Sequence, residues 1–194
     1  MTFKTDILRK LIDDQKGIAS NNRFQVTLPS LETPRTAKPG NSDAYAIDPF
    51  PVRDLPILCT AARLPGKQII TADRKLGIEP INVAVGHNFA EVNLTFYLTN
   101  AYSVKKYFQE WSECIISPEP PFVAGFFEDY AKSVTVSQLD KLGKIIYSVE
   151  LIKAYPTTIT EVEFNNQLQG APLEFSVSLA FTNYLIKPLL ETFE

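Results

Sequence analysis

Histidine occurs once in the 194 residues, as His87, and cysteine twice, as Cys59 and Cys114. That excludes a His-x-x-x-His metal site, and a four-ligand zinc site is reachable only by recruiting a carboxylate. The eight glycines, at 17, 40, 66, 77, 86, 125, 143 and 170, never stand closer than nine apart. Neither G-x-G-x-x-G nor the G-x-x-x-x-G-K-[ST] phosphate cradle can therefore be written. Basic charge is thin: 19 Lys and Arg oppose 22 Asp and Glu, for a net charge of -3. The longest basic runs are the doublets Arg9-Lys10, Arg74-Lys75 and Lys105-Lys106, too sparse for the phosphate-neutralising stripe of a nucleic-acid binder. The first sixteen residues are charged throughout and hold no continuous apolar run, so no signal peptide or membrane span is expected there and the chain reads as cytosolic when made. Both thiols sit among Ile and Leu, as in Ile57-Leu58-Cys59 and Cys114-Ile115-Ile116, the setting of buried reduced cysteines.

What is present is the composition of a folded chain, 45% hydrophobic and 21% charged, long enough for one domain that buries about 70% of its unfolded surface. Phe3, Ile7, Leu8, Leu11 and Ile12 are spaced as on a helix ending near Gly17, which makes residues 1–20 an N-terminal arm whose simplest place is packed on its own domain. Residues 21–194 then read as one β domain. Its first strand spans 23–28, with Phe24, Val26 and Leu28 on one face. Five prolines between 31 and 56 forbid a central strand there, leaving a long loop insertion over the surface.

Strand-like stretches follow at 57–62, 68–72, 81–85 and 89–98, broken by Leu64-Pro65-Gly66, Gly77, Pro80 and Gly86. The period then changes: Val104, Phe108, Trp111 and Ile115 mark one amphipathic helix, stopped by Pro118. Alternation resumes at 132–139, 145–153 and 173–184. Some eight strands and one strong helix, without regular βαβ order, predict a mainly β chain, an antiparallel two-sheet sandwich or barrel with one flanking α-helix.

No residue stands out as catalytic, and no cofactor or metal is expected. His87, between two strand segments, reads as a turn histidine, since no nucleophile elbow accompanies it. Asp13-Asp14 and Glu128-Asp129 are adjacent pairs that point apart, as solvated or partner-facing charge does. Phe122, Phe126, Phe127 and Tyr130 suit a core or a subunit contact better than base stacking, given the shortage of basic charge. The polar strand faces are unusual. Ser133, Thr135 and Ser137, then Ser148 and Glu150, then Ser176, Ser178 and Thr182 are small and nearly free of lysine, whereas wet sheet faces normally carry long charged side chains. Such faces are either lined and covered or an ordinary solvent face of chance composition.

The order of these elements resembles the tail tube proteins of contractile-tailed bacteriophages, related to type VI secretion tubes. The resemblance is carried by Asn22-Arg23-Phe24-Gln25-Val26, by Leu58 to Gly66 with its Leu-Pro turn, by Asp73-Arg74-Lys75, by the helix with Trp111, by a Tyr155-Pro156 turn and by the closing Glu174 to Phe181. It spans residues 22–184, and departs from the family in the 31–56 insertion and in the tail after Tyr184. It implies a structural virion protein, not an enzyme, assembled in the host cytoplasm as hexameric rings with a continuous inner β-barrel. Stacked rings would form the tube that conducts DNA without binding it specifically. The partners implied are further copies of itself, the sheath, the tape measure, and the baseplate and tail terminator proteins; no membrane is involved. Ring stacking would fall to the hairpin bearing Asp73, Arg74 and Lys75, although an exposed turn fits the same residues. The lumen would be faced by Ser133, Thr135, Ser137, Ser148 and Glu150. Nearby alternatives are a baseplate tube initiator or the tube of a bacterial contractile injection system; a different class is a monomeric β-barrel that holds a small ligand inside.

Overall fold

The computed structural model describes residues 2–14, 18–31, 54–76, 79–118, 122–164, 170 and 172–187; apart from its two ends, the 31–56 insertion lies outside the described residues. The elements in chain order are α1 (Thr2–Asp14), β1 (Phe24–Thr27), β2 (Cys59–Ala62), β3 (Lys67–Leu76), β4 (Glu79–Phe89), β5 (Val92–Tyr97), α2 (Ser103–Ile115), α3 (Phe127–Tyr130), β6 (Lys132–Leu139), β7 (Ile145–Ile159), β8 (Glu174–Ala180) and β9 (Asn183–Lys187). The chain is mainly β and antiparallel, as expected.

β7 is the frame on which the rest is hung. Its first half pairs with β6 on one side and β9 on the other, and β6 pairs with β1, giving a first layer in the order β1-β6-β7-β9. Its second half pairs with β8, then β5, then β2, giving a second layer. Lys153, with φ of 53°, stands between the two halves, where left-handed backbone turns the strand out of one layer and into the other. The Tyr155-Pro156 turn expected from the sequence is therefore absent. Pro156 sits inside β7, paired with Leu179 beside a register shift, the kind of irregularity where a missing N–H is tolerated.

The alternation seen in the sequence becomes the core. Val26, Val134, Val136, Val149 and Leu151 from the first layer face Val92, Leu94, Phe96, Phe175, Val177 and Leu179 from the second, all buried. α2 closes the space between the layers with Val104, Tyr107, Phe108 and Trp111. Phe108 lies 5.3 Å from Phe96 and 6.1 Å from Trp111 between ring centres. Two hydrogen bonds fix the helix: Trp111 Nε1–H donates to the Tyr130 carbonyl at 2.8 Å and the Tyr107 hydroxyl to the Pro29 carbonyl at 2.6 Å.

Other departures from the sequence reading are local. Leu55–Leu58 is a 3-10 turn, not the start of a strand, because Pro56 fixes a helical φ and Ile57 N–H reaches the Asp54 carbonyl at 3.2 Å. The run 89–98 is split at Ala90, whose N–H turns to the Gly66 carbonyl. The run 173–184 is two strands, β8 and β9, parted at Phe181 and Thr182. In α1 the side chains of Ile7, Leu8 and Leu11 are exposed and that of Ile12 half-buried, so the domain leaves these three uncovered, against expectation.

Candidate functional site

Among the described residues the space between the layers is occupied by the buried Phe96, Phe108, Trp111 and Phe175. Among the described residues the best-formed hollows, of about 280 and 480 Å³, are open clefts on the surface. Functional surface must therefore be sought on strand edges, faces and projecting elements.

Among the described residues the outer edges of the first layer, on β1 and β9, are paired with no further strand, and β1 lies near the 3-10 turn and β2. β1 is antiparallel to β6, β6 to β7 and β7 to β9, so β9 runs antiparallel to β1. An edge-to-edge contact between the β9 of one copy and the β1 of another would continue the alternation unbroken. On β9, Leu185 and Ile186 are 53% and 54% exposed, although Ile186 is paired with the buried Val149. The β9 edge is short, five residues, yet exposed aliphatic side chains on an edge make it a template for another strand.

The face of this layer turned away from the core carries Thr135, Ser137, Ser148 and Glu150. Thr135 is opposite Glu150, and Ser137 opposite Ser148. The two serine hydroxyls are 2.9 Å apart and nearly buried, 5% and 8% exposed, between taller neighbours. Ser133 falls at a register shift between Lys132 and Val134 and is exposed. Glu150 is not a bare charge: its carboxylate lies 3.1 Å from Lys187 Nζ on β9. Ser176 and Ser178 belong to the second layer instead, where the hydroxyl of Ser176 meets that of Thr95 at 3.0 Å and Ser178 donates to Asn93 Oδ1 at 2.8 Å. The small polar residues singled out in the sequence thus line two different faces.

β3 and β4 form a separate two-stranded sheet, longer at both ends than the sequence suggests. His87 is inside β4, opposite Ile69, and packs edge-on against Phe89 at 4.9 Å; it is a strand residue, not a turn residue. Gly86 pairs with Ile70 next to a register shift that leaves Val85 bulged and 63% exposed. Ile69, Ile70 and Ile81 are also exposed, and alternation puts Ile69 on one face of the hairpin and Ile70 on the other. The base is tied to the body by Phe89, 5.5 Å from Phe181 and 5.4 Å from Tyr184. Two-stranded hairpins are marginally stable alone in water, so one with aliphatic side chains on both faces is built to be covered. Asp73 and Arg74 are exposed on β3, and the Lys75 side chain lies outside the described residues.

Phe122, Phe126 and Phe127 prove not to be core, being 64%, 82% and 39% exposed. Phe127 joins Tyr130 and Tyr155 in a set of edge-on ring contacts at 5.5 to 6.1 Å, with Lys153 Nζ bridged to Glu128 at 2.6 Å. Asp13 and Asp14 have side chains outside the described residues. Both cysteines are free and half-buried. Burial pushes the Cys59 thiol up to about 12, against a weaker pull from hydrogen bonds with the Ala61 and Thr95 backbone. Burial raises the Cys114 thiol too. Neither is an activated nucleophile. Among the described residues no helix is long and apolar enough to cross a membrane.

This two-layer antiparallel arrangement is the fold of chains found in contractile injection systems. The chain is similar to one in the PVC sheath/tube terminator of an extracellular contractile injection system in the extended state (TM-score 0.60, 12% identity, covering 88% of this chain and 97% of that one). It is also similar to one in the cap that terminates the tube of the anti-feeding prophage (0.59, 14%, 88% and 91%), and to one in the PVC sheath-tube complex (0.58, 12%, 88% and 91%). No curated protein sequence matches the chain. The family model described as phage tail tube protein matches residues 19–187, and the chain belongs to that family. It is a tail-tube-like structural protein.

Proposed function

We propose that the protein is the tube subunit of a contractile tail, closing into six-membered rings that stack into a conduit for DNA. The observation that carries this is the pair of free edges on the first layer, of opposite direction and with exposed aliphatic side chains on β9. A heterologous edge contact repeats from copy to copy and closes where the rotation allows. Four strands from each of six copies give a barrel of about 24 strands, on the order of 50 Å across between backbones at ordinary spacing and tilt. Closure removes both edges and with them the aggregation hazard.

In such a ring the core face of the first layer looks outward to the second layer, and Thr135, Ser137, Ser148 and Glu150 look into the lumen, with Ser133 at its rim. Small hydroxyls with few cations suit a passage for DNA, because a cationic wall would hold phosphates through counterion release. The β3–β4 hairpin, with Asp73, Arg74 and Lys75 towards its tip, would reach the next ring, where charges of both signs fix register. The outer surface would meet the sheath, the ends of the tube the baseplate and terminator, and the lumen the tape measure before DNA passes. Assembly would take place in the host cytoplasm, into the virion tail.

Negative-stain electron microscopy and scattering on the purified full-length protein test this directly. Six-fold rings that stack into hollow tubes are expected. Compact monomers alone, at high concentration, overturn the reading.

A further inference from the structure

The two ends of the first layer are decorated differently. At one end, where β6 begins, a shelf follows α2. Ile116 and Ala124 form an antiparallel bridge, and Ser117 N–H donates to the Val123 carbonyl at 3.1 Å and Gly125 N–H to the Ile115 carbonyl at 2.9 Å. The backbone is so close that a Cβ on Gly125 would stand 2.5 Å from the Cys114 carbonyl oxygen. On this pinned backbone Phe122, Val123 and Phe126 project into solvent, 64%, 60% and 82% exposed. The adjoining α3 adds Glu128 and Asp129, both exposed.

At the other end, where β6 turns into β7, the tip is Leu142, 81% exposed, flanked by Lys141 and Lys144, with Ile145 and Ile146 part-exposed behind it. This turn is also fixed: Asp140 N–H donates to the Lys144 carbonyl at 2.7 Å, Gly143 takes φ of 78°, and Arg23 holds the Lys141 carbonyl at 2.9 Å. Rigidly presented apolar side chains cost solvation free energy until something covers them.

We infer that these patches are the two halves of one contact between copies of this chain: the Leu142 turn of one copy seats on the Phe122 and Phe126 shelf of the copy stacked against it, with Lys141 and Lys144 facing Asp129, while Glu128 keeps its bridge to Lys153 of its own copy. Three independent features favour a second copy as the occupant. The patches lie at opposite ends of one layer, so head-to-tail stacking brings them together. Both are apolar at the centre. Asp129 beside the shelf and Lys141 and Lys144 beside the turn are exposed and opposite in sign, which sets partner and register. A heterologous contact of this kind propagates along an axis. The inference rests on the tube reading, since only stacked copies present opposite ends to each other, and it adds a stacking contact separate from the β3–β4 hairpin.

The test uses the full-length protein. Leu142→Ser, Phe126→Ser, the pair Lys141→Glu with Lys144→Glu, and Asp129→Lys all alter exposed side chains, and circular dichroism melts check that each still folds. Each is expected to leave single rings visible while raising the protein concentration needed for tubes by about tenfold, the equivalent of ~1.4 kcal/mol per ring-to-ring junction. Combining Lys141→Glu and Lys144→Glu with Asp129→Lys should recover much of the loss. If wild-type tubes form and the single-side variants stack at the wild-type concentration, the inference is wrong, and failure of the combined variant to recover refutes the charge pairing. Normal tubes that no longer bind a sheath protein would assign the shelf to the sheath instead. A wild type that never leaves the monomer removes the tube reading itself, and this inference with it.

Discussion

Trp111 is fully buried, is stacked on Phe108, and donates its indole N–H to the Tyr130 carbonyl, which ties α2 to the segment leading into β6. Trp111→Ala removes a large ring and a hydrogen bond together, and should lower unfolding free energy by about 3–5 kcal/mol, read from denaturant midpoints followed by circular dichroism. A midpoint equal to wild type would contradict its place at the centre of the core. Cys59 gives a prediction in pH. Burial lifts the thiol from 9.0, its ordinary value, to about 12 in the folded chain, so above pH 9.0 the unfolded state loses protons that the native state keeps. Its contribution is intact below 9.0 and declines as pH rises towards about 12. Cys59→Ala should therefore show a shallower alkaline loss of stability than wild type in denaturant titrations across that window; parallel curves would rule the effect out.

Elements that are incomplete in a single chain belong to the next scale. Among the described residues the long β3–β4 hairpin pairs as a sheet only with itself and carries exposed aliphatic side chains on both faces. Reversing Arg74 and Lys75 to Glu should leave circular dichroism unchanged and shorten tubes, because it disturbs register rather than folding; an unchanged length distribution in micrographs rejects a stacking role. β9 is incomplete in another sense. Ile186 belongs to the core-facing row yet is 54% exposed on a free edge. Ile186→Lys, a substitution of the kind by which natural edges resist pairing, should give folded monomers in place of rings by gel filtration. Rings of normal size would show that β9 is not the closing edge.

For the whole molecule the decisive quantity would be the field inside the proposed ring. Glu150 is 25% exposed by side chain and bridged to Lys187 at 3.1 Å, so each copy contributes a local dipole rather than an isolated negative charge. A lumen built from this face would be near neutral at that level, with the exposed Leu185 beside Glu150. Glu150→Lys would place two cations side by side in every copy, and six copies would concentrate that field in a narrow channel. Tubes should still form, while genome delivery slows in a manner relieved by salt. Normal delivery by that variant, with Glu150 in place on the lumen wall, would show that wall charge does not govern passage.

Local alternation and helical spacing were enough, in the sequence, to separate the core rows of β5, β6, β7 and β8 from their polar faces, and to mark the buried side of α2. Those periods are written in neighbouring residues, and burying one face is what drives each element to form. The small polar row of Thr135, Ser137, Ser148 and Glu150 could be read for the same reason. What the chain could not reveal locally depends on partners distant in sequence. That β7 runs through Pro156 and serves two layers follows from Lys153 turning the strand and from β8 and β9 pairing with its two halves. That the phenylalanines at 122 and 126 face solvent, although their composition resembles core, follows from the Gly125 approach to Cys114 that fixes their backbone outward. The free edges of β1 and β9 exist only once register is set, because an edge is defined by which strand has no neighbour, and pairing is a property of the folded chain rather than of any segment in it.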